Sequence, residues 1–472
     1  MATTKSKPQP ASTWPSYMTL GTAILAAGTG LVAFGGDPLN LKLTLQDWTT
    51  TIAHSLNPIE PTDYMARAKR LLQSTPLIDG HNDFPYLIRQ QMHNQIYDHD
   101  FHKERIGGHS DFQKMKDGMM GGQFWSVYVP CPEDLVPGVD LWDKNKRIPD
   151  LNEPNWAVRD TLEQIDITKR LVAHYPDLLE YCDEPSCVRR AHRRGKIASM
   201  LGVEGGHQTG NSLGSLRLFF EAGVRYMTIT HNCDNAFAAS WVSVDLKTGK
   251  DSGLTKYGEA VIREMNRLGM LVDLSHVSPN TMRQALEIAR APVIFSHSGA
   301  YSVNKHLRNV PDDVLEATKR NGGVVMVPAI TFFMNWEHPE EATLDDLIDH
   351  IFWIAGKAGW EHVGLGSDFD GSASVVKGLE DTSQWPNLIA KLLARGNVTD
   401  AQVKGLLGDN VLRVWAEAER LAKKFQAQGE LPCEENWEGR VWETVNHDPP
   451  KLFPEVDSDR VPLKGGWADI GK

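Results

Sequence analysis

From about residue 70 the chain repeats one theme: a short apolar, often β-branched run ends in polar or glycine residues, and a segment with helical spacing follows. Eight such runs stand out, at 76–83, 122–130, 197–205, 226–232, 270–276, 293–299, 323–329 and 362–370. Near-continuous apolar runs suit parallel strands covered by helices, because neither face of such a strand meets water. Tyr257, Val261, Met265 and Leu268 recur at helical spacing, and Gly269 supplies a stop. Ser278-Pro279 is a start signal, a capping side chain followed by proline in the first turn, and Met282, Leu286 and Ala289 predict an inward stripe behind it. Asn321-Gly322 ends a helix that begins near Pro311. The alternation predicts a (β/α)8 TIM-type barrel with long insertions over residues 63–426, with a doubly wound open sheet as the alternative. The absence of GxGxxG or P-loop sequences after the first run counts against a nucleotide-binding open sheet.

The flanks read differently. Residues 1–16 form a tail carrying Lys5 and Lys7, and residues 17–35 carry no charge and are about long enough to cross a bilayer as a helix. The preceding lysines and the following Asp37 orient the tail to the cytoplasm and the body to the lumenal or extracellular side. The expectation is a single-pass membrane signal-anchor, with a cleaved signal and a secreted body as the alternative. Residues 36–62 read as a linker. Residues 427–472, rich in Pro, Trp, Glu and Asp, read as a C-terminal extension, packed over the barrel or used in association. The sequon Asn397-Val398-Thr399 marks Asn397 as a glycosylation candidate.

Composition narrows the classes. With 41% hydrophobic and 23% charged residues the chain suits a soluble globular body, and its net charge of −12 argues against general binding to nucleic acid. Five cysteines in 472 residues exclude a disulfide-dense scaffold but leave room for one or two bridges.

In a barrel the active site lies at the C-terminal ends of the strands. The first run ends in Asp79-Gly80-His81-Asn82-Asp83, where the period of a strand points His81 and Asp83 the same way. The third ends in Glu204-Gly205-Gly206-His207, the fourth in Thr230-His231-Asn232-Cys233, the fifth in Ser275-His276, the sixth in Ser296-His297-Ser298, and the eighth in Ser367-Asp368-Phe369-Asp370-Gly371. Six of the eight runs thus deliver an imidazole or carboxylate to one rim. A single histidine of this kind is more often a satisfied structural residue. Six together would repel or stay unsatisfied unless cations were present. Imidazole with carboxylate and no thiolate suits zinc, ahead of manganese or iron. His81, Asp83, Glu204, His276 and His297 are too many ligands for one tetrahedral zinc with an open position. Two metals sharing a carboxylate fit better, and Glu204, between the two ligand groups, is the natural bridge. A water bridging such a pair would be acidified toward hydroxide, and one metal would polarise a carbonyl.

The stretches IDGHNDFPY, GGQFWSVY, GVEGGH, YMTITHNCDN, VDLSHVS, VIFSHSGAYSV, RNVPDDV and VGLGSDFDG, in order from about residue 62 to 425, closely resemble the membrane (renal-type) dipeptidases, two-zinc peptidases of the amidohydrolase barrel superfamily. The resemblance implies one zinc on His81, Asp83 and Glu204 and a second on Glu204, His276 and His297. It implies that His231 donates to the carbonyl oxygen. Arg308 would grip the free carboxylate of a dipeptide, although the bland reading of this residue is a surface or helix-capping arginine. Asp368 would move the proton between water and leaving amine, with Asp370 as its rival two residues on. Asp79 and His207 would orient ligands. The resemblance also implies a Cys131–Cys233 disulfide. Cys182 and Cys187 are close enough in sequence to pair, and Cys433 is then free or links subunits. Homodimers are usual in the family. Two departures concern the pocket wall: Phe333 stands where the family often has a tyrosine, and Tyr86 where tryptophan is common. The expected function is zinc-dependent hydrolysis of free dipeptides. The alternative substrates are Cys–Gly amides of glutathione-derived conjugates or secondary-metabolite intermediates, and β-lactam amides are a further class that the family implies. A non-catalytic surface binding protein is the reading from another class.

Overall fold

The computed structural model describes residues 60, 62–132, 151 and 156–440. The chain divides after Asp63, and the larger unit, Tyr64–Lys472, carries everything that follows. Nine strands lie in one parallel sheet: β1 (Leu77–Asn82), β2 (Met120–Tyr128), β3 (Leu179–Tyr181), β4 (Ile197–Glu204), β5 (Val224–Thr228), β6 (Leu271–Asp273), β7 (Ile294–Phe295), β8 (Val324–Val327) and β9 (Val363–Leu365). Their order is β2-β1-β9-β8-β7-β6-β5-β4-β3, and a further pairing of β2 with β4, from Gly122↔Ala198 to Tyr128↔Glu204, closes the sheet into a barrel. The open-sheet alternative is thereby excluded.

Every predicted run overlaps one barrel strand, with the strands at Met120 and Val224 starting two residues before the predicted runs. The strand missed is β3, three residues that pair with Ile197–Ser199 at the start of β4, on the edge that β5 takes over from Leu201 onward. Such a short strand leaves no periodicity to read.

The helices follow local chemistry. Lys256–Leu268 is capped by Thr255 and ended by Gly269 at φ 87°, the left-handed backbone that glycine adopts without strain. Pro279–Ile288 begins behind Ser278, whose hydroxyl accepts from the Thr281 N–H at 3.2 Å. The expected stripe faces the core: Met282 is buried, and Leu286 and Ala289 pack half-buried against the core where they also line a groove toward the helix Asp312–Asn321, while Thr281 and Ala285 add to the buried face. The two helices pack side by side around the barrel.

Two cores result. Ile78, Phe124, Met200, Tyr226, Leu271, Ile294, Val324 and Met326 fill the barrel, and the helix Asn410–Ala427 inserts Val411, Val414 and Trp415 among them, closing one end. A larger apolar layer joins the outer strand faces to the helices. The other end is left to polar strand tips.

Beyond that last helix the chain crosses the outer helices. Cys433 N–H donates to Glu264, and Trp437 lies 6.1 Å from Tyr257. Asn397 is exposed in a turn. Among the described residues no helix is long and apolar enough to cross a membrane. The tail 1–16, the segment 17–35, most of the linker 36–62 and residues 441–472 lie outside the described residues.

Candidate metal centre and active site

The strand tips converge on one carboxylate. Glu204, the last residue of β4, places Oε1 3.1 Å from His276 Nε2, 3.3 Å from His297 Nε2, 3.4 Å from His81 Nε2 and 3.8 Å from His231 Nε2. His81 Nε2 is also 3.3 Å from Asp83 Oδ2 and 4.0 Å from Asp368 Oδ1. His276 Nε2 and His297 Nε2 stand 2.9 Å apart. A register irregularity in β1 between Asp79 and Asn82 lets His81 and Asp83 both reach this point, the usual effect of a bulge beside a site. His276 and Asp368 hold left-handed backbone, φ 66° and 62°, where non-glycine residues are strained.

Hydrogen bonding at each far nitrogen fixes the histidine tautomers. His276 Nδ1 faces Asn232 Oδ1 at 2.9 Å, which also takes the Trp241 Nε1–H and can only accept. His297 Nδ1 faces Ser296 Oγ at 2.7 Å, and that hydroxyl donates to Asp273 Oδ2. His81 Nδ1 faces the Tyr226 hydroxyl at 3.0 Å, which donates to the Gly80 carbonyl. In the neutral ring each ligand-side Nε2 therefore carries the lone pair. The Tyr226 ring reaches this position by lying across Gly202, where a Cβ would come within 2.1 Å of it.

Three imidazole lone pairs and two carboxylates aimed at one another are electrostatically unsatisfied without positive charge. His81 Nε2 and Asp83 Oδ1 are buried with no hydrogen-bond partner. Burial opposes a proton on His81, yet Tyr226, Glu204 and Asp83 beside it hold its pKa well above the ordinary value. Burial pushes His276 and His297 well below theirs, with Arg308 adding to it. The site thus favours a cation among the carboxylates and neutral imidazoles around it, a donor set that fits divalent metal. The donors overlap: His81, Glu204 and His297 form one compact trio, Glu204, His231 and His276 another, and His81, Asp83 and Asp368 a third, with donor atoms within 4.8 Å in each. His231 and Asp368 thus adjoin the same cluster as the five expected ligands.

Other site residues surround it. Burial, with Asp83 and Glu204 nearby, holds the Asp368 carboxyl well above its usual range. Its rival Asp370 turns away, accepting from the His109 N–H. Burial drives His231 well below its ordinary value, so its ring is neutral. Arg308 is 1% exposed, donates to the His297 carbonyl at 3.1 Å and to Ser298 Oγ at 3.2 Å, and leaves Nε unpaired. Burial pulls this guanidinium down to about 10 against the opposing charge of Asp368, Glu204 and Asp273, none of which forms an ion pair with it among the described residues. Asp79 accepts from Ser367 N–H and Oγ–H and from His81 N–H, tying β1 to the loop that carries Asp368. His207 lies further out, with Nε2 on the Val129 carbonyl at 2.9 Å.

Disulfides join Cys131 to Cys233 and Cys182 to Cys187, and Cys433 is free. The first fixes the loop after β2 beside His231, whose Nδ1 is 4.0 Å from Cys131 Sγ.

The sequence reading missed four contributors. Asp273 accepts from the N–H groups of Ser275 and Ser296 and from Ser296 Oγ–H. Asn232 and Tyr226 set two tautomers, as above. Gly371 has no Cβ because one would sit 2.2 Å from Asp83 Oδ2 and 2.5 Å from Asp368 Oδ1. Asp273 had a signal: like Asp79, it stands just before a strand-end histidine.

Comparison with known proteins identifies the family. The membrane dipeptidase family, peptidase family M19, matches residues 65–429. An uncharacterized dipeptidase of Schizosaccharomyces pombe is 47% identical over 396 residues, 83% of this chain and 92% of that protein. The dipeptidase verJ of Clonostachys rogersoniana is 44% identical over 386 residues, 82% of this chain and 95% of that protein. Among solved structures, a dipeptidase described as a metallopeptidase of family M19 superposes with a TM-score of 0.64 at 25% identity, covering 73% of this chain and 98% of its own. With a match over most of its length and a closed barrel that gathers histidines and carboxylates at one end, the chain belongs to the membrane dipeptidase family, peptidase family M19, and is an enzyme of that class.

Proposed function

We propose that the chain hydrolyses the single amide of free dipeptides with two zinc ions held by five side chains. His81, Asp83 and Glu204 would hold one ion, and Glu204, His276 and His297 the other. Bound there, the ions supply an activated water and polarise the scissile carbonyl. Asp368, kept protonatable by burial and neighbouring carboxylates, accepts the water's proton and returns it to the leaving amine. Neutral His231 donates its Nε2–H to the carbonyl oxygen as charge develops there. Arg308 receives the C-terminal carboxylate, which limits the substrate to about one residue beyond the scissile bond.

The observation that carries this reading is the buried, ion-unpaired guanidinium of Arg308 beside the donor cluster, held by the carbonyl of His297 itself. A buried cation with no carboxylate in direct contact is costly, and a substrate carboxylate resolves it. The N-terminal segment 17–35 would place this domain on the lumenal or extracellular side, as an anchor or a cleaved signal. The two disulfides suit such an oxidising compartment.

The test is a dipeptide panel with metal analysis before and after chelation. Free dipeptides are expected to be cleaved, and the same dipeptides blocked as C-terminal amides to be cleaved at least tenfold more slowly. Equal rates on free and blocked substrates would defeat the assignment of Arg308.

A further inference from the structure

A strip of aromatic rings runs from the donor cluster to solvent past Arg308. It starts at Trp241, whose Nε1–H donates at 2.8 Å to the Asn232 oxygen that also serves His276. Trp241 packs on His306 at 5.1 Å, and His306 packs on Phe333 at 5.1 Å and on Trp336 at 5.0 Å. Phe332 adjoins Trp336 at 6.0 Å. The Arg308 guanidinium lies over the Phe333 ring at 4.9 Å, and the Arg308 N–H donates to His306 Nδ1 at 3.1 Å. Burial, with Arg308 nearby, holds His306 down at about 4, so at neutral pH its ring is uncharged like its neighbours. Trp241 is half-buried, and beyond it exposure rises from 8% at His306 to 41% at Phe332 and 52% at Trp336. A second aromatic pair, Tyr86 on Tyr128 at 4.9 Å, belongs to a different part of the site, with Tyr128 4.8 Å from His231.

Resting on the reading of Arg308 as the carboxylate anchor, we propose that Trp241, His306, Phe333 and Trp336 receive the side chain of the dipeptide's C-terminal residue and select a large apolar or aromatic one. That side chain branches from the carbon bearing the gripped carboxylate, so it cannot lie far from the guanidinium. Besides the His297 carbonyl and the Ser298 hydroxyl that hold it, that guanidinium lies over the Phe333 ring, which continues into the strip through His306. Glycine or alanine at this position would leave the ring faces in water. Phenylalanine or tryptophan would cover them, a gain of roughly tenfold in kcat/KM for one well-placed ring. Phe333 fits the same picture, offering the guanidinium an aromatic face without a phenolic hydroxyl.

The experiment uses the full chain, zinc-loaded, with Ala–Gly, Ala–Phe, Phe–Gly and S-benzyl-Cys–Gly, on the wild type, Trp336→Ala and Trp336→Phe. Trp336 is half exposed, so its truncation opens no core cavity. The wild type is expected to favour Ala–Phe over Ala–Gly about tenfold. Trp336→Ala should bring that ratio to within about twofold, and Trp336→Phe should retain most of it. The ratios of Phe–Gly and S-benzyl-Cys–Gly to Ala–Gly should be the same in all three proteins. A flat Ala–Phe ratio in the wild type overturns the proposal. So does a loss in Trp336→Ala that is equal on every substrate, or one confined to the N-terminal side chains. Failure to cleave any free dipeptide overturns the parent reading with it, whereas cleavage with a flat ratio overturns the subsite alone.

Discussion

Replacing Asp273 by asparagine isolates the part of the site that the chain itself controls. Asp273 Oδ1 accepts two backbone N–H groups, at 3.0 Å from Ser275 and 2.9 Å from Ser296, and Oδ2 accepts the Ser296 hydroxyl. An asparagine keeps the carbonyl oxygen for the two N–H groups but presents an NH2 to the serine. Ser296 Oγ must then accept from that NH2 and turn its own proton toward His297 Nδ1. The imidazole responds by moving its proton to Nε2, and the lone pair facing Glu204 at 3.3 Å is lost. Changes of this kind behind a metal-ligating histidine typically cost 10–100-fold in affinity, about 1.4–2.7 kcal/mol. The metal-free fold should barely notice. Burial pushes the Asp273 carboxyl above its usual range, so the charge removed was itself costly, and the hydrogen-bond count is preserved. A net change within about 1 kcal/mol is expected for the metal-free protein. Zinc affinity by chelator competition and urea midpoints of the metal-free protein separate the two effects. In Asp273→Asn/Ser296→Ala the hydroxyl that forces the flip is gone, so the double variant should bind zinc more tightly than Asp273→Asn alone, a non-additivity that a general loosening would not give. Wild-type zinc affinity in Asp273→Asn would refute the tautomer argument. A fall in metal-free stability equal to the whole loss would refute it as well.

Other perturbations probe neighbouring claims. Gly371→Ala should lower kcat on any good dipeptide by roughly 100-fold, because its Cβ displaces Asp83 Oδ2 and Asp368 Oδ1, while urea midpoints of the metal-free protein stay put. Arg308→Lys should lower kcat/KM on free dipeptides by roughly 100-fold and shrink the gap to amide-blocked ones, since an ammonium lacks the fork that meets a carboxylate. His350 accepts the Ala300 N–H at 2.7 Å through Nδ1, and burial lowers its pKa from 6.5 to about 4. A folded pKa below the unfolded one means a contribution that is complete above pH 6.5 and is lost as pH falls toward 4, about 3 kcal/mol in all. Urea midpoints between pH 7 and 4 should therefore fall less steeply in His350→Gln, by about one proton's worth.

Much of this was legible before the structure. Long apolar runs located all eight barrel strands, because a strand buried on both faces has nowhere to put a charge. Polar residues at their ends pointed to the cluster that forms the candidate site, because the tips are the barrel positions where charge can converge. Asp370 and Asp368 could not be told apart that way: they lie two residues apart, and the fold separates them by giving Asp370 to the His109 N–H and placing Asp368 beside His81 and Asp83. Arg308 gave no signal of its own, since its burial depends on Ser298 and His297 from a different loop. Asn232, Tyr226 and Ser296 were invisible as determinants of tautomers, because their role is set by which ring nitrogen each meets in the fold. Gly371 was equally silent. Its requirement is empty space beside two carboxylates, which a sequence does not display.

The central claim is that Glu204 joins two cations, and counting metal in the purified protein tests it most directly. Elemental analysis of the zinc-reconstituted wild type should find two zinc ions per chain, and Glu204→Ala should lose both rather than one, since its Oε1 faces His81, His276 and His297 alike. A wild type that saturates at one ion per chain, or a Glu204→Ala variant that keeps two, would contradict the account.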